Sequence, residues 1–513
     1  MTAERSAAPS APFRPDWRVR AESGLSVAAG LSIADRRIHR SITAAWAVPV
    51  LLTVTGASDA TIVWTAWAAA LFCSIAILLR PKAVLVGFPF FALIGPLGGF
   101  VPILGISYVL SDWLFALLAC QLAVVSMAQR SHPVRALQAI LFASFFVSAV
   151  AAIASGAIGS VKPVLYLLQL TVVYLYTQRY AHSARDWNLV LSSWVAATLL
   201  GAVLLLHAYS LGVPLIAFSS RTDSAPPATR DESMLFQATY YYAGFHFAIG
   251  VSSVILALHA LRTKGGLAVV MAAFGVVFLS MAAFLMGNKT ALYGSLISTA
   301  GLASLLAARR PGSKAARRWL LGAVGVAAVF WVVSVLDDVG QVQVRMLRGS
   351  LTSVSSLIIR TEVWESALRS WVAQPLHMLI GLGPDFFDLA DPKLSAAFKV
   401  SSVTGLVEGT VDSGWIAYLL ELGIVAYGIV LALMFKSARA LWKTIVDSER
   451  LRFSQPVALY VFGGMCYVWL ALITQSLGYS KISWLALQLL TIGLQHDRTR
   501  AAWRREHAVV RSS

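Results

Sequence analysis

Long apolar runs alternate along the chain with short, mostly basic polar segments. The runs lie near 42–57, 60–79, 83–100, 109–128, 136–154, 163–178, 188–206, 240–261, 267–287, 290–308, 319–336, 412–434, 457–476 and 481–495, about 14 in all. Most approach the roughly 20 residues that carry a helix across a bilayer. They are continuous, whereas a membrane β-barrel needs alternating segments. Helices also satisfy the backbone groups that lipid cannot. The pattern therefore predicts an all-α, polytopic integral membrane protein. The runs 42–57 and 60–79, and 267–287 and 290–308, follow one another as tight hairpins.

Composition agrees with that reading. Hydrophobic residues make up 58% of the 513 and charged residues 13%, and the mean hydropathy is +0.73. A soluble domain carries about 25% charged residues, so an ordinary cytosolic enzyme and a disordered chain are both excluded. Three cysteines in 513 residues exclude a disulfide scaffold. Cys73, Cys120 and Cys466 each lie inside an apolar run with no metal-spaced partner, which suits simple packing.

The net charge of +17 suggests nucleic acid until its distribution is considered. Lysine and arginine cluster between the apolar runs. With the amino terminus inside, 30 of the 41 fall on the inner side and 11 on the outer side. That asymmetry is how membrane orientation is written, and no nucleic-acid partner is expected. Residues 1–41 contain seven arginines and no apolar core of signal-peptide length. They are expected to form a basic, mostly disordered cytoplasmic tail. Residues 42–336 would hold the first eleven spans, 337–411 a long outer loop, 412–495 the last three spans, and 496–513 a second basic cytoplasmic tail.

Two outer segments are longer than simple connections. Residues 207–239 include Arg221, Pro226, Pro227 and Arg230. Residues 337–411 carry Trp364, Trp371, Phe386, Phe387 and Phe398, too many aromatics for a disordered linker. Long loops of this kind are usually functional. Within the second loop, Arg360-Thr-Glu-Val-Trp364-Glu-Ser-Ala-Leu-Arg-Ser-Trp371-Val-Ala-Gln-Pro375 has apolar residues at 363, 364, 367, 368, 371 and 372. That spacing predicts an amphipathic helix closed by Pro375. A glycine-rich turn over Leu376 to Phe387 follows, with Gly381 and Gly383. Val411-Asp412-Ser413-Gly414-Trp415 then opens the next run, which reaches Glu421-Leu-Gly423. No internal or inverted repeat is visible, unlike the commoner transporter folds.

Several of these residues suit chemistry at a membrane surface, and each also has an ordinary structural role open to it. Arg360 can bind phosphate with its planar fork, or pair with Glu362 or stack on Trp364. Lys289, in Met286-Gly-Asn-Lys289-Thr-Ala291, can bind phosphate as a point charge or anchor a helix at the interface. Asp412 can accept a proton or cap the following helix. Glu421 is an intramembrane carboxylate, a functional feature by default, or an interhelical hydrogen-bond partner. His246 and His377 are the clearest outer-side histidines. Tyr241, inside Tyr240-Tyr241-Tyr242, belongs to an aromatic belt or stacks on sugar. Arg221 and Arg230 can hold phosphate or an acidic sugar. Glu365 and Arg369 form an i,i+4 pair.

Taken in order, these motifs resemble the O-antigen ligase and Wzy-type polysaccharide polymerase superfamily. The resemblance covers roughly residues 270–435: the basic helix start at Lys289, Arg360 with its tryptophan helix, Pro375-Leu, Gly381-x-Gly383, the polar pair Asp412-Ser413, and Glu421-x-Gly423. It implies a GT-C-like helical fold and a metal-independent glycosyltransferase of the bacterial inner membrane, with no cofactor. The implied donor and acceptor are glycans on undecaprenyl diphosphate, and a flippase and chain-length regulators are the implied protein partners. By the same resemblance Arg360, Lys289 and Asp412 are the catalytic candidates, with Arg221, Arg230, Tyr241, His246, Trp364 and His377 lining the substrate. The family usually has arginine at the position of Lys289, and its ligases have His-Asn where this chain has Asp412-Ser413. The departure favours a polymerase over a ligase. A flippase would be expected to carry charge along its central spans, and here those spans are nearly charge-free. A non-catalytic scaffold for polysaccharide export would tolerate loss of Arg360.

Overall fold

The computed structural model describes residues 33–98, 101–103, 106–108, 110–126, 161–211, 245–263, 266–285, 289–309, 364–365, 368–369, 371–373, 375–381, 413–446, 454–473 and 483–512, with isolated positions between 317 and 325. Among these the fold is all-helical apart from one short antiparallel hairpin. The helices are α1 (Ile33–Val54), α2 (Asp59–Leu79), α3 (Val84–Leu93), α4 (Leu110–Ser126), α5 (Val161–Tyr180), α6 (Ala184–Leu211) and α7 (Phe245–Arg262). They continue with α8 (Gly266–Leu285), α9 (Lys289–Arg309), the short α10 (Pro375–Ile380), α11 (Gly414–Val446), α12 (Ser454–Ala471) and α13 (Ser483–Ser512).

Among the described residues, six helices are long and apolar enough to cross a membrane: Asp59–Leu79, Ala184–His207, Phe245–Arg262, Gly266–Ala283, Thr290–Ala308 and Gly414–Val446. The apolar run at 136–154 lies outside the described residues, as does nearly all of 319–336. The run at 83–100 is not one continuous helix. Its helix, α3, has ten residues, all buried, and is about 15 Å long. A bilayer core is about 30 Å thick, so α3 cannot cross alone. The chain turns at Gly95–Gly98, and strand β1 (Val101–Ile103) pairs with β2 (Ile106–Tyr108) before α4 begins. Trp67 Nε1 donates to Gly98 O at 3.1 Å, which ties this turn to the middle of α2.

Burial sorts the helices into centre and rim. In α7, 67% of the apolar window is buried, against 28% in α8, 33% in α2 and 17% in α11. The rim helices turn apolar faces outward: Leu71, Ile75 and Leu78 on α2, and Val270, Phe274 and Val277 on α8, are exposed. Apolar faces this extensive are rare on soluble monomers and suit contact with lipid.

At the centre, glycines let helices approach closely, as in other membrane bundles. The Tyr467 ring of α12 wedges between α7 and α9, against Gly250 and Gly294, and its hydroxyl donates to His246 O at 3.1 Å. A Cβ at Gly250 would lie 1.9 Å from Tyr467 Cζ. Gly250→Ala is therefore expected to lower the thermal midpoint in detergent, since overpacking costs about 1–3 kcal/mol or more. Adding Tyr467→Leu should restore part of the loss. An unchanged midpoint for the single variant would contradict this packing.

Polar side chains bind the helices together. Trp194 Nε1 donates to Gln488 Oε1 at 2.7 Å, Gln488 Nε2 to Thr177 Oγ1 at 3.2 Å, and Gln495 Nε2 to Gln178 O at 2.7 Å, joining α5, α6 and α13. At one end of the bundle Lys82 bridges Asp35 of α1, at 3.2 Å, and Asp186 of α6. Asp186 also accepts from the backbone N–H groups of His182 and Ser183, while Ser183 Oγ accepts from Asp186 N, closing the start of α6 as a capping box. Burial opposes the charge on Lys82, but the two carboxylates outweigh it and hold the ammonium above its usual range. The cluster fixes the starts of α1 and α6 and the α2–α3 turn at the same end.

Candidate functional site

The other end of the bundle gathers the motif residues. Gly201, more than halfway along α6 from Asp186, faces Phe245 at the start of α7. Tyr467 joins that start to the first turns of α9 through Gly294. The start of α11 docks on the end of α12: Trp415 N and Ser413 Oγ both reach Leu472 O, at 3.3 and 3.4 Å, and Trp415 Nε1 donates to Trp469 O at 3.0 Å. The helix starts that carry His246, Lys289 and Ser413 therefore share one end, away from the Lys82 cluster.

The long loop contributes the next layer. Trp364, Glu365, Leu368, Arg369, Trp371 and Val372 are helical, as their apolar spacing predicts. Trp371 is buried and Trp364 half-buried. Glu365 and Arg369 are ion-paired and exposed, where screening leaves such a pair little energy. The helix gives way to a turn at Ala373, and Pro375 starts α10. Proline suits a first helical position because its missing N–H has no partner to lose there. The glycine-rich turn expected from Leu376 onward thus begins as helix and turns only at Gly381. Trp364, Leu368 and Val372 form a groove with Ile416 of α11, with Glu365 and Arg369 on its rim and a volume of 710 Å³.

Two motif glycines touch. Gly381 has φ +86° and Gly423 has φ +70°, ψ 169°, conformations that L side chains rarely adopt. A Cβ on Gly381 would lie 2.1 Å from Glu421 O, and one on Gly423 would lie 2.4 Å from Gly381 N and Leu379 O. The chain at Leu379–Gly381 and the Glu421–Gly423 segment of α11 are therefore one backbone contact, and Gly423 breaks α11 there.

The sequence-predicted residues fall into two groups. Arg360, Asp412, Arg221, Arg230 and Tyr241 lie outside the described residues. Lys289 is the first residue of α9, and His377 lies within α10. His246 sits in the first turn of α7, buried against the Phe247 ring, with no hydrogen-bond partner at Nε2. Trp364 lines the groove, and its Nε1 likewise has no partner. Helix α11 starts at Gly414 and Ala417 N donates to Ser413 O at 2.9 Å. Ser413, not Asp412, thus holds the capping position. The Gly381–Gly423 contact and the Trp415 anchor were missed by sequence reasoning. The only sequence signal for the contact was the pair of glycines in an otherwise bulky apolar context.

The site thus joins three separated segments at one end of an apolar helical bundle, with an open groove between the loop and a span. No protein-family model matches the chain, and no characterised protein matches it in sequence.

Proposed function

We propose that this protein is a metal-independent membrane glycosyltransferase that polymerises undecaprenyl-diphosphate-linked oligosaccharide repeat units into exopolysaccharide or O-antigen. The reading carries with it about 14 crossings, a GT-C-like arrangement, both termini in the cytoplasm and a site on the outer face of a bacterial inner membrane. One observation supports it above the rest: the groove joins the loop helix at Trp364 to α11 at Ile416. Arg360 precedes Trp364 by four residues, and Asp412 precedes Ile416 by four. The two candidate catalytic residues thus flank the two sides of one groove in the sequence.

In the proposed reaction an acceptor sugar hydroxyl attacks the anomeric carbon of the donor. The new glycosidic bond forms as the bond from that carbon to the diphosphate oxygen breaks. Asp412 takes the hydroxyl proton. Arg360, assisted by Lys289, neutralises the charge that develops on the diphosphate, which is usually the largest catalytic contribution.

Purified protein incubated with lipid-linked repeat units is expected to lengthen the glycan and release one undecaprenyl diphosphate per bond formed. Transfer of intact lipid-linked units across a vesicle, with no diphosphate released, would replace the reading with a transporter. The orientation has its own test. In a chain freed of native cysteines, Arg230→Cys and Ala390→Cys should react with an impermeant maleimide in intact spheroplasts. Lys314→Cys and Arg439→Cys should not, and reaction at position 314 would invert the orientation.

A further inference from the structure

We infer that Gly381 and Gly423 form a fixed clasp that positions the two halves of the proposed transfer site. The inference rests on the transferase reading for its catalytic consequence and on the backbone contact for its geometry. Gly423 divides α11 into a short segment, Gly414–Leu422, and a longer one, Ile424–Val446. The break at a left-handed residue leaves the short segment free to take its direction from what holds it. Three contacts do: Trp415 on Trp469 O, Ser413 on Leu472 O, and Gly381 against Glu421 and Gly423.

The third contact ties it to the loop. Residues 379–381 pass so close to 421–423 that neither glycine has room for a Cβ. The loop helix that follows Arg360 and the short segment that follows Asp412 are thereby held as one unit. An unbroken α11 would send the short segment straight on along the axis of the span and open this contact. Gly381 and Gly423 touch no substrate in this scheme. They set the distance between groups that do.

The experiment uses the full chain. Gly381→Ala and Gly423→Ala are each expected to lower kcat at least about 100-fold, the effect of displacing a reacting group by roughly 1 Å. KM for the lipid-linked repeat unit should stay within about threefold. Full kcat with only a lower thermal midpoint would overturn the inference, because it would make the glycines merely structural. A second measurement holds even if these variants fail to fold. Ile380 and Ile424, each beside a clasp glycine, are exposed. With native cysteines replaced, Ile380→Cys/Ile424→Cys should join in high yield with a short bifunctional maleimide, and the joined protein should keep its rate. Failure to join would overturn the contact. Joining that stops turnover would overturn the fixed clasp in favour of a hinge. If wild-type protein transfers no sugar, the transferase reading fails, while the yield of joining still decides the contact.

Discussion

Arg360→Ala is expected to stop polymer formation while the protein still accumulates in the membrane at its normal level. A departing diphosphate gathers negative charge at a surface where water is scarce. An arginine guanidinium stays charged at any working pH and can bind two phosphate oxygens at once, which is the role proposed for Arg360. Losing one such donor typically costs on the order of 10²–10³ in rate. Arg360→Lys should recover only part of this, because an ammonium supplies charge without the fork. Lys289→Arg should stay active, since it adds the fork at a second basic position. The structural alternative, in which Arg360 pairs with Glu362 or stacks on Trp364, makes a different forecast. Glu362→Gln or Trp364→Ala would then reproduce the defect. Polymer yield and chain length in membranes with matched protein levels separate the two, and normal polymer from Arg360→Ala would remove the residue from the mechanism.

The helices were legible because apolarity over some 20 residues leaves the backbone little choice in lipid. The exception at 83–100 shows the limit of that signal. Its residues are as apolar as any span, yet Gly95, Pro96, Gly98, Gly99 and Pro102 fall in its second half and just beyond it. These residues break helices, and the chain becomes a turn and a hairpin there. Helix also extends past the first and last apolar runs into the basic segments beside them. α1 includes residues from Ile33 onward, upstream of the apolar run at 42, and Asp35 there pairs with Lys82 of the α2–α3 turn. α13 continues to Ser512 through alanines, arginines and a glutamate, all favourable helix formers.

The site was legible as residue types and not as contacts. The apolar spacing of the loop helix placed Trp364 and Leu368 on one face, and both line the groove. Beyond the two glycines, the same sequence held no sign that residue 381 touches residue 423, since nothing local encodes a contact across 42 positions. His246 was legible as an outer-side histidine but not by its burial: it is buried in the first turn of the central helix. A histidine inside a run of apolar residues does not announce which side of the helix it occupies until the neighbouring helices are known.

Asp412 provides the sharpest division between chemistry and architecture. The O-antigen ligases that these motifs resemble have a histidine at the corresponding position, and the proposed reaction uses the carboxylate of Asp412 there. If it is the base, Asp412→Asn keeps its shape and removes most of its basicity. Turnover should then fall by at least about tenfold, and general-base assistance is typically worth 10²–10⁴. If the side chain served only to cap a helix, asparagine would replace it freely, because the two cap about equally well. The structure weakens the capping alternative in advance. Ala417 N donates to Ser413 O, which puts Ser413 in the capping position, and the Ser413 hydroxyl points to Leu472 O. Asp412→Asn and Asp412→Ala should therefore be almost equally slow, with folding and lipid-linked substrate binding intact. The measurement is the chain-length distribution made by purified variants from lipid-linked repeat units. Full-length polymer at the normal rate from Asp412→Asn would transfer the proton-accepting role to another group, with Arg360 left as the remaining catalytic assignment.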